Sequence, residues 1–275
     1  MENEDIKFIA MDLDGTILNK DFRMSPRIVE TMIDMKRHGK KLIAATGRVL
    51  PSAIQHTAAF GGADGYVCSN GADIYSADMR MIAKYHIEDA IARRLVDFAR
   101  TVPSYSHAFV GDVWNYERDS PYVSLYVRRS GLQGQKVDFD SFQELSFTKF
   151  AFMDDRPKIA AIRARLSELL GDSVEMSYSD DFILEIVAAG VDKGAGLAAC
   201  LERLGGSLSQ TIAFGDAGND ESMLLEAAIG VAVANAPEEL KLKVGRTAPS
   251  VDDDGVATFL EQFFGINRGA EGDRT

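Results

Sequence analysis

Cysteine is nearly missing from this chain: Cys68 and Cys200 are all that 275 residues hold. Two cysteines cannot make a disulfide framework, and these two lack the spacing of a metal site, so both read as small buried hydrophobes. No stretch approaches the roughly 18 to 20 apolar residues of a membrane span. The acidic opening Met1-Glu2-Asn3-Glu4-Asp5 is the opposite of a signal peptide, so a cytoplasmic protein with no membrane partner is expected. Basic residues are in the minority: 30 Lys and Arg against 42 Asp and Glu give a formal net charge of −12. That argues against a nucleic-acid partner, which needs a basic face to displace counterions. Neither Gly-x-x-x-x-Gly-Lys-Ser/Thr nor Gly-x-Gly-x-x-Gly occurs, which removes two common nucleotide-binding loops. His38, His56, His86 and His107 show no ligand spacing and receive no role. Internal repeats and low-complexity tracts are absent too.

What remains is a globular composition, 46% hydrophobic and 26% charged, in a chain long enough for one large or two ordinary domains. Its organising stretch is Ile6-Lys7-Phe8-Ile9-Ala10-Met11-Asp12-Leu13-Asp14-Gly15-Thr16. The apolar run is too short for an independent helix and reads as a strand covered on both faces. Asp12 and Asp14 then stand at its carboxyl end, where open α/β sheets bind ligands, and Gly15 permits a tight turn away. Taken alone, Asp-Leu-Asp-Gly is equally a solvated turn.

The rest of the chain repeats the arrangement. Ser25-Pro26 starts a helix that Gly39 ends, and residues 41–45 form a second strand running into Thr46-Gly47-Arg48. A helix over about 51–60 leads to a strand over 66–68 and Ser69-Asn70-Gly71-Ala72. Residues 73–75 and 81–85 read as paired strands. Strand, helix, strand in this order builds parallel βαβ units. Between 82 and 187 the alternation breaks down. Helices are expected at 88–100 and 156–170, and strands at 108–110, 123–127, 147–153, 174–179 and 182–187, while 131–146 has no assignment. Mixed elements without strict alternation indicate an α+β insertion. Trp114, Tyr116, Tyr122 and Tyr126 read as its core more readily than as a pocket lining. Alternation resumes with a helix at 193–204, a strand at 211–215, a helix at 219–228, a strand at 230–233, and closing helices at 237–244 and 256–264. The polar tail 267–275 is expected to be disordered. The fold class is therefore α/β, a doubly wound parallel-sheet, Rossmann-like core of residues 1–81 and 188–275 with an inserted α+β domain of 82–187.

Four pieces carry chemistry when taken together: Asp12-Leu13-Asp14-Gly15-Thr16, Thr46-Gly47, Lys193, and Gly215-Asp216-Ala217-Gly218-Asn219-Asp220. The last follows an apolar strand and opens a helix, and it crowds two carboxylates and an amide together. Acids crowded at the end of a buried strand repel one another, and a divalent cation relieves them. Oxygen-only ligands with few carboxylates point to Mg²⁺.

The order of these four motifs resembles that of the haloacid dehalogenase-like superfamily. Ser69-Asn70-Gly71-Ala72, Asn235-Ala236 and Asp254-Gly255-Val256-Ala257 resemble further pieces of its Cof-type subfamily, with a cap between the second and third motifs. The resemblance covers nearly the whole chain apart from the tail. It implies that Asp12 is a nucleophile and Asp14 a general acid and base. It implies Mg²⁺ held by Asp12, the Asp14 backbone carbonyl and Asp216, with Asp220 supporting the metal shell or orienting Lys193. Phosphoryl oxygens would be held by Thr46, the Gly47 backbone, Lys193, Asn219 and the Leu13 N–H. The implied activity is a Mg²⁺-dependent phosphatase of small phosphorylated metabolites, with an aspartyl-phosphate intermediate and a cap that selects the leaving group. A phosphosugar mutase of the same superfamily and a non-catalytic phospho-acceptor regulator are the alternatives. The second has no need of a cap-sized insertion or of a second Asp two residues after the acceptor.

Overall fold

The computed structural model describes residues 5–266, so the tail expected to be disordered lies outside the described residues. The chain begins with β1 (Phe8–Met11), α1 (Pro26–Arg37), β2 (Lys41–Ala45), α2 (Leu50–Thr57), β3 (Gly65–Cys68), β4 (Asp73–Ser76) and β5 (Met81–Lys84). A second group follows: α3 (Asp89–Thr101), β6 (Tyr105–Val110), β7 (Val113–Tyr116), α4 (Pro121–Ser130), β8 (Gln135–Lys136), β9 (Lys149–Met153), α5 (Arg156–Leu170), β10 (Val174–Asp180) and β11 (Ile183–Ala188). The chain closes with α6 (Lys193–Arg203), β12 (Thr211–Gly215), α7 (Glu221–Glu226), β13 (Ile229–Val233), α8 (Glu238–Val244), β14 (Thr247–Ala248) and α9 (Gly255–Phe264).

The strands form an eight-stranded sheet of order β14-β13-β12-β1-β2-β3-β4-β5 and a six-stranded sheet of order β10-β11-β9-β6-β7-β8. In the first, β1 lies between β12 and β2, parallel to both, with Met11 opposite Phe214 and Ala44. That register is what matters for function. It brings the loops that follow β1, β2 and β12 out side by side, so Asp12, Thr46 and Asp216 emerge on one edge. Helices cover both faces: Ile28, Met32 and Met35 of α1 pack with Ile9 and Met11 on one, Leu197 and Leu201 of α6 with Phe8 and Ala10 on the other. Alternate residues of β1 thus go to opposite faces, as its apolar run requires. Ser25 caps α1 by accepting from Ile28 N at 3.1 Å, with Pro26 in the first turn.

The six-stranded sheet is antiparallel apart from the β7–β8 pair. Helices α3 and α5 cover one face, packing Leu95, Phe98, Ile159 and Leu166 against Phe150, Phe152, Leu184 and Ile186. The other face carries Tyr105, Phe109, Met153 and Ile183 and meets Val49 of the first unit and Tyr126.

One expected strand is a helix. Residues 123–127 lie within α4, because Ser120 caps it by accepting from Tyr122 N and Pro121 occupies its first turn. The aromatic and β-branched content suggested a strand. The four-residue spacing of Tyr122, Tyr126 and Ser130 places them on one helical face instead, with Tyr126 against His107 and Trp114. The unassigned 131–146 holds β8 and a 3-10 turn at Phe139–Ser141. Strand β7 was not foreseen, and β6 extends three residues before the expected 108. Both cysteines are free and buried. Among the described residues no helix is long and apolar enough to cross a membrane.

Candidate active site

Asp12 leaves β1 with its backbone tied to the next strand, its N–H donating to Phe214 O at 3.0 Å. The side chain is buried, and Lys193 Nζ donates to its Oδ1 at 2.6 Å and to Asp220 Oδ1 at 2.6 Å. Lys193 opens α6 and is itself fully buried. Asp220 Oδ2 accepts from the backbone N–H groups of Asp216 and Ala217 at 2.9 and 3.0 Å, closing the loop after β12 on itself. Asp216 Oδ1 accepts from Thr16 Oγ1 at 2.9 Å. Gly15 is obligatory here: its φ is +80°, and a Cβ would lie 2.3 Å from Asp216 Oδ2.

Carboxylate oxygens of Asp12, Asp216 and Asp220 lie within 4.8 Å of one another. Burial pushes the Asp12 carboxyl up to about 7, Asp220 and Asp14 add to this, and Lys193 pulls against it. Burial and the charges of Asp12 and Asp220 hold Asp216 well above the ordinary carboxylate range. Lys193 is opposed by burial yet raised by its two carboxylate partners. One buried ammonium thus faces three acids, an excess of negative charge that a hard divalent cation fits. The bonds leave two oxygens for it: among the described residues no hydrogen bond engages Oδ2 of Asp12 or Oδ2 of Asp216. Both oxygens of Asp220 are already engaged.

Asp14 faces a different environment. Arg48 grips it in a two-pronged pair, Nε to Oδ2 at 2.7 Å and Nη2 to Oδ1 at 2.6 Å. Burial opposes ionisation of this carboxyl, but Arg48, with Arg129 and His56 behind it, outweighs burial and holds it below its ordinary value. Arg48 Nη1 also donates to Ser52 Oγ at 2.7 Å and to Arg129 O at 3.0 Å, so the grip extends into the inserted segment.

A cleft partly open to solvent gathers Asp12, Asp14, Gly47 and Asn219 with Tyr126, Arg129, Lys149 and Glu185. Thr46 is buried at the end of β2, its Oγ1 accepting from Arg48 N at 3.1 Å, and Leu13 keeps its side chain in the core. Neither lines the cleft with a side chain. Trp114 is fully buried, as expected, but Tyr126 both packs in the aromatic cluster and lines the cleft. Arg48, Asn70, Arg129, Lys149 and Glu185 received no role from sequence. A signal existed for two of them: Lys149 opens β9 and Glu185 lies within β11, each the single charge of an otherwise apolar strand, a pattern that a buried pair explains.

The chain matches the model of the haloacid dehalogenase-like hydrolases over residues 9–260, and it belongs to that family. Its curated relatives include an HMP-PP phosphatase of Shigella flexneri serotype 5b, 27% identical over 239 residues that make up 86% of this chain and 88% of that protein. Among solved structures, a haloacid dehalogenase-like hydrolase from Bacteroides thetaiotaomicron is 28% identical, with a TM-score of 0.82 over 94% of this chain and 100% of that one. A subclass IIB sugar phosphatase of the superfamily shares the fold at 23% identity, with a TM-score of 0.82 over 95% and 100% of the two chains. The family match agrees with the haloacid dehalogenase-like resemblance of the sequence.

Proposed function

We propose that this enzyme is a Mg²⁺-dependent phosphatase of small phosphorylated metabolites that works through a phosphorylated Asp12, with residues 82–187 as the cap that selects the leaving group. The observation that carries the reading is the pairing of two unlike acids in one cleft. Asp12 is buried, raised in pKa and bonded to Lys193, while Asp14, two residues on, is held ionised by Arg48. Taken alone, these environments would make Asp12 the acid and Asp14 the base. A divalent cation beside Asp12 would reverse the order at that residue by favouring its ionised, nucleophilic form, and Asp14 acts as acid only once it leaves Arg48.

In this reading Asp12 keeps Oδ2 for the metal and attacks phosphorus through Oδ1, which Lys193 holds in the free enzyme and releases as its ammonium turns to steady the charge spread over the phosphoryl oxygens. The N–H groups of the Leu13 and Gly47 backbones and the Asn219 amide form the cradle. The Thr46 hydroxyl, whose oxygen accepts from Arg48 N, lies buried beneath it and can give its proton to the phosphoryl group only if the loop after β2 shifts to expose it. Asp14 protonates the departing alcohol and later takes a proton from the attacking water. Its ionised form, as held by Arg48, suits the second step, and the first requires it to exchange Arg48 for a proton. Mg²⁺, held by the Asp12 and Asp216 side chains and the Asp14 carbonyl, would offset the repulsion between carboxylates and phosphoryl oxygens, while Asp220 fixes Lys193. Acid–base catalysis contributes only about 10² to 10⁴ of an acceleration that reaches ~10²¹ for phosphate monoesters. Positioning and charge stabilisation supply the larger part.

The names of the relatives put phosphorylated metabolites and sugar phosphates first in a substrate panel. Release of inorganic phosphate from such esters is expected with Mg²⁺ and not in excess chelator. Full turnover with metal absence verified would sink the proposal.

A further inference from the structure

Lys149 on β9 and Glu185 on β11 are 1% and 4% exposed, on a sheet face otherwise filled by apolar and aromatic side chains. They pair with each other, Ser179 of β10 gives Glu185 a further hydrogen bond, and their remaining partners lie outside that sheet. Lys149 Nζ donates to Gly47 O at 2.6 Å. Asn70 Nδ2 donates to Glu185 Oε2 at 2.8 Å, and Asn219 Nδ2 donates to Asn70 Oδ1 at 3.0 Å. Glu185 also packs against the loop after β2: a Cβ on Gly47 would lie 2.9 Å from Oε2.

An ionised carboxylate can only accept hydrogen bonds. Burial opposes the charge on Glu185, but Lys149 and the surrounding donors hold its carboxyl below its ordinary value. Glu185 therefore obliges Asn70 to present its NH₂ group, which turns Asn70 Oδ1 toward Asn219. Asn219 must then give one N–H to Asn70. Its second N–H is left for the cleft it lines, and its Oδ1 has no hydrogen-bond partner among the described residues. Asn70 itself is held by an unusual backbone, with φ of +50°, +58° and +99° at Ser69, Asn70 and Gly71. Left-handed non-glycine residues in succession persist where the surroundings over-determine them, and they cluster at functional sites.

We infer that Lys149 and Glu185 are positioning residues for phosphoryl binding: they fix the Gly47 carbonyl and the orientation of the Asn70 and Asn219 amides, so the phosphate cradle is complete only when the inserted sheet is docked. This rests on the phosphatase reading of the cleft and adds two residues that never touch the reacting atoms.

The test measures affinity for inorganic phosphate by calorimetry in the presence of Mg²⁺, and kcat/KM for a small activated aryl phosphate whose leaving group makes little use of the insertion. Glu185→Gln keeps the shape but can offer its own NH₂ to Asn70, reversing both amides. It is expected to weaken phosphate binding about tenfold, the size of one lost charge-assisted hydrogen bond, and to lower kcat/KM by a similar factor. In an Asn70→Ala background the same change is expected to cause no further loss, whereas a merely structural effect would add. The double variant Lys149→Met with Glu185→Gln leaves no charge stranded in the interior and serves if the single variant fails to fold; it too should bind phosphate more weakly. Unchanged phosphate affinity in the charge variants, or additive losses with Asn70→Ala, overturns the inference. A wild-type protein that cleaves no ester strikes the phosphatase reading instead, and the phosphate titrations still decide this one.

Discussion

Replacing Lys193 with methionine tests the electrostatics of the acid cluster directly. Lys193 is fully buried and bonds to Asp12 and Asp220 at 2.6 Å each. Removing one partner of a buried pair costs about 3–5 kcal/mol. Here two carboxylates lose the same partner, which places the loss near the upper figure. At roughly 2–4 °C per kcal/mol for a protein of this size class, the metal-free variant should melt about 10–20 °C below the wild type near neutral pH. The loss must also depend on pH. The folded chain raises the Asp12 carboxyl from 3.8 to about 7, so it retains a proton that the unfolded chain has released. The associated stability is fully present below pH 3.8 and is lost as pH rises through about 7. Lys193 is what pulls this carboxyl down, so without it the titration moves higher and the loss reaches further up the pH scale. Thermal melts followed by circular dichroism in excess chelator at pH 5 and pH 8 should show a wider gap between variant and wild type at pH 8. Mg²⁺ should close part of that gap. An equal gap at both pH values would refute the charge-compensation argument.

Asp12→Asn should form no covalent phosphoenzyme. Asp14→Asn should lose at least about 10² to 10⁴ in turnover of an alkyl phosphate, yet still be phosphorylated on Asp12 by an activated aryl ester; mass spectrometry of quenched samples distinguishes the two, and an adduct on Asp14 would reverse the assignment. Arg48→Met removes the group that holds the Asp14 carboxyl down and leaves burial to raise it. Activity that needs protonated Asp14 falls as pH rises through its pKa, so the basic limb of the kcat/KM profile should move to higher pH; a superimposable profile would exclude Asp14 from the acid step. Gly15→Ala forces a non-glycine residue to φ +80° with its Cβ 2.3 Å from Asp216 Oδ2. A destabilisation of about 1–3 kcal/mol in denaturant melts, with weakened Mg²⁺ binding, is expected.

The residues that sequence made legible are those whose neighbours are close along the chain or lie at the end of a parallel strand. Asp12, Asp216 and Asp220 follow apolar runs, and parallel register alone brings such ends together. Lys193, a lone lysine by composition, gained meaning only from its place in the order of motifs. The grip of Arg48 on Asp14 was not legible although Arg48 adjoins Thr46-Gly47, because it depends on where the α2 entry turns the guanidinium. Asn70, Lys149 and Glu185 were hidden for another reason: their partnership needs two sheets to dock, and neither periodicity nor spacing encodes that. The misread 123–127 shows a local cap, Ser120-Pro121, outweighing strand-like composition.

The position of β1 between β2 and β12 has a consequence for how the chain is made. Phe8 pairs with Thr211, a residue that a ribosome adding about 5–20 residues per second reaches roughly 10–40 s later. Throughout that interval one side of the most central strand is a raw, apolar edge, the kind of surface on which nascent chains stick to one another. The acids at its tip are meanwhile spared their mutual repulsion, since Asp216 and Asp220 arrive only with the partner strand. Catalytic competence and protection from aggregation are thus acquired in the same late event, the insertion of β12.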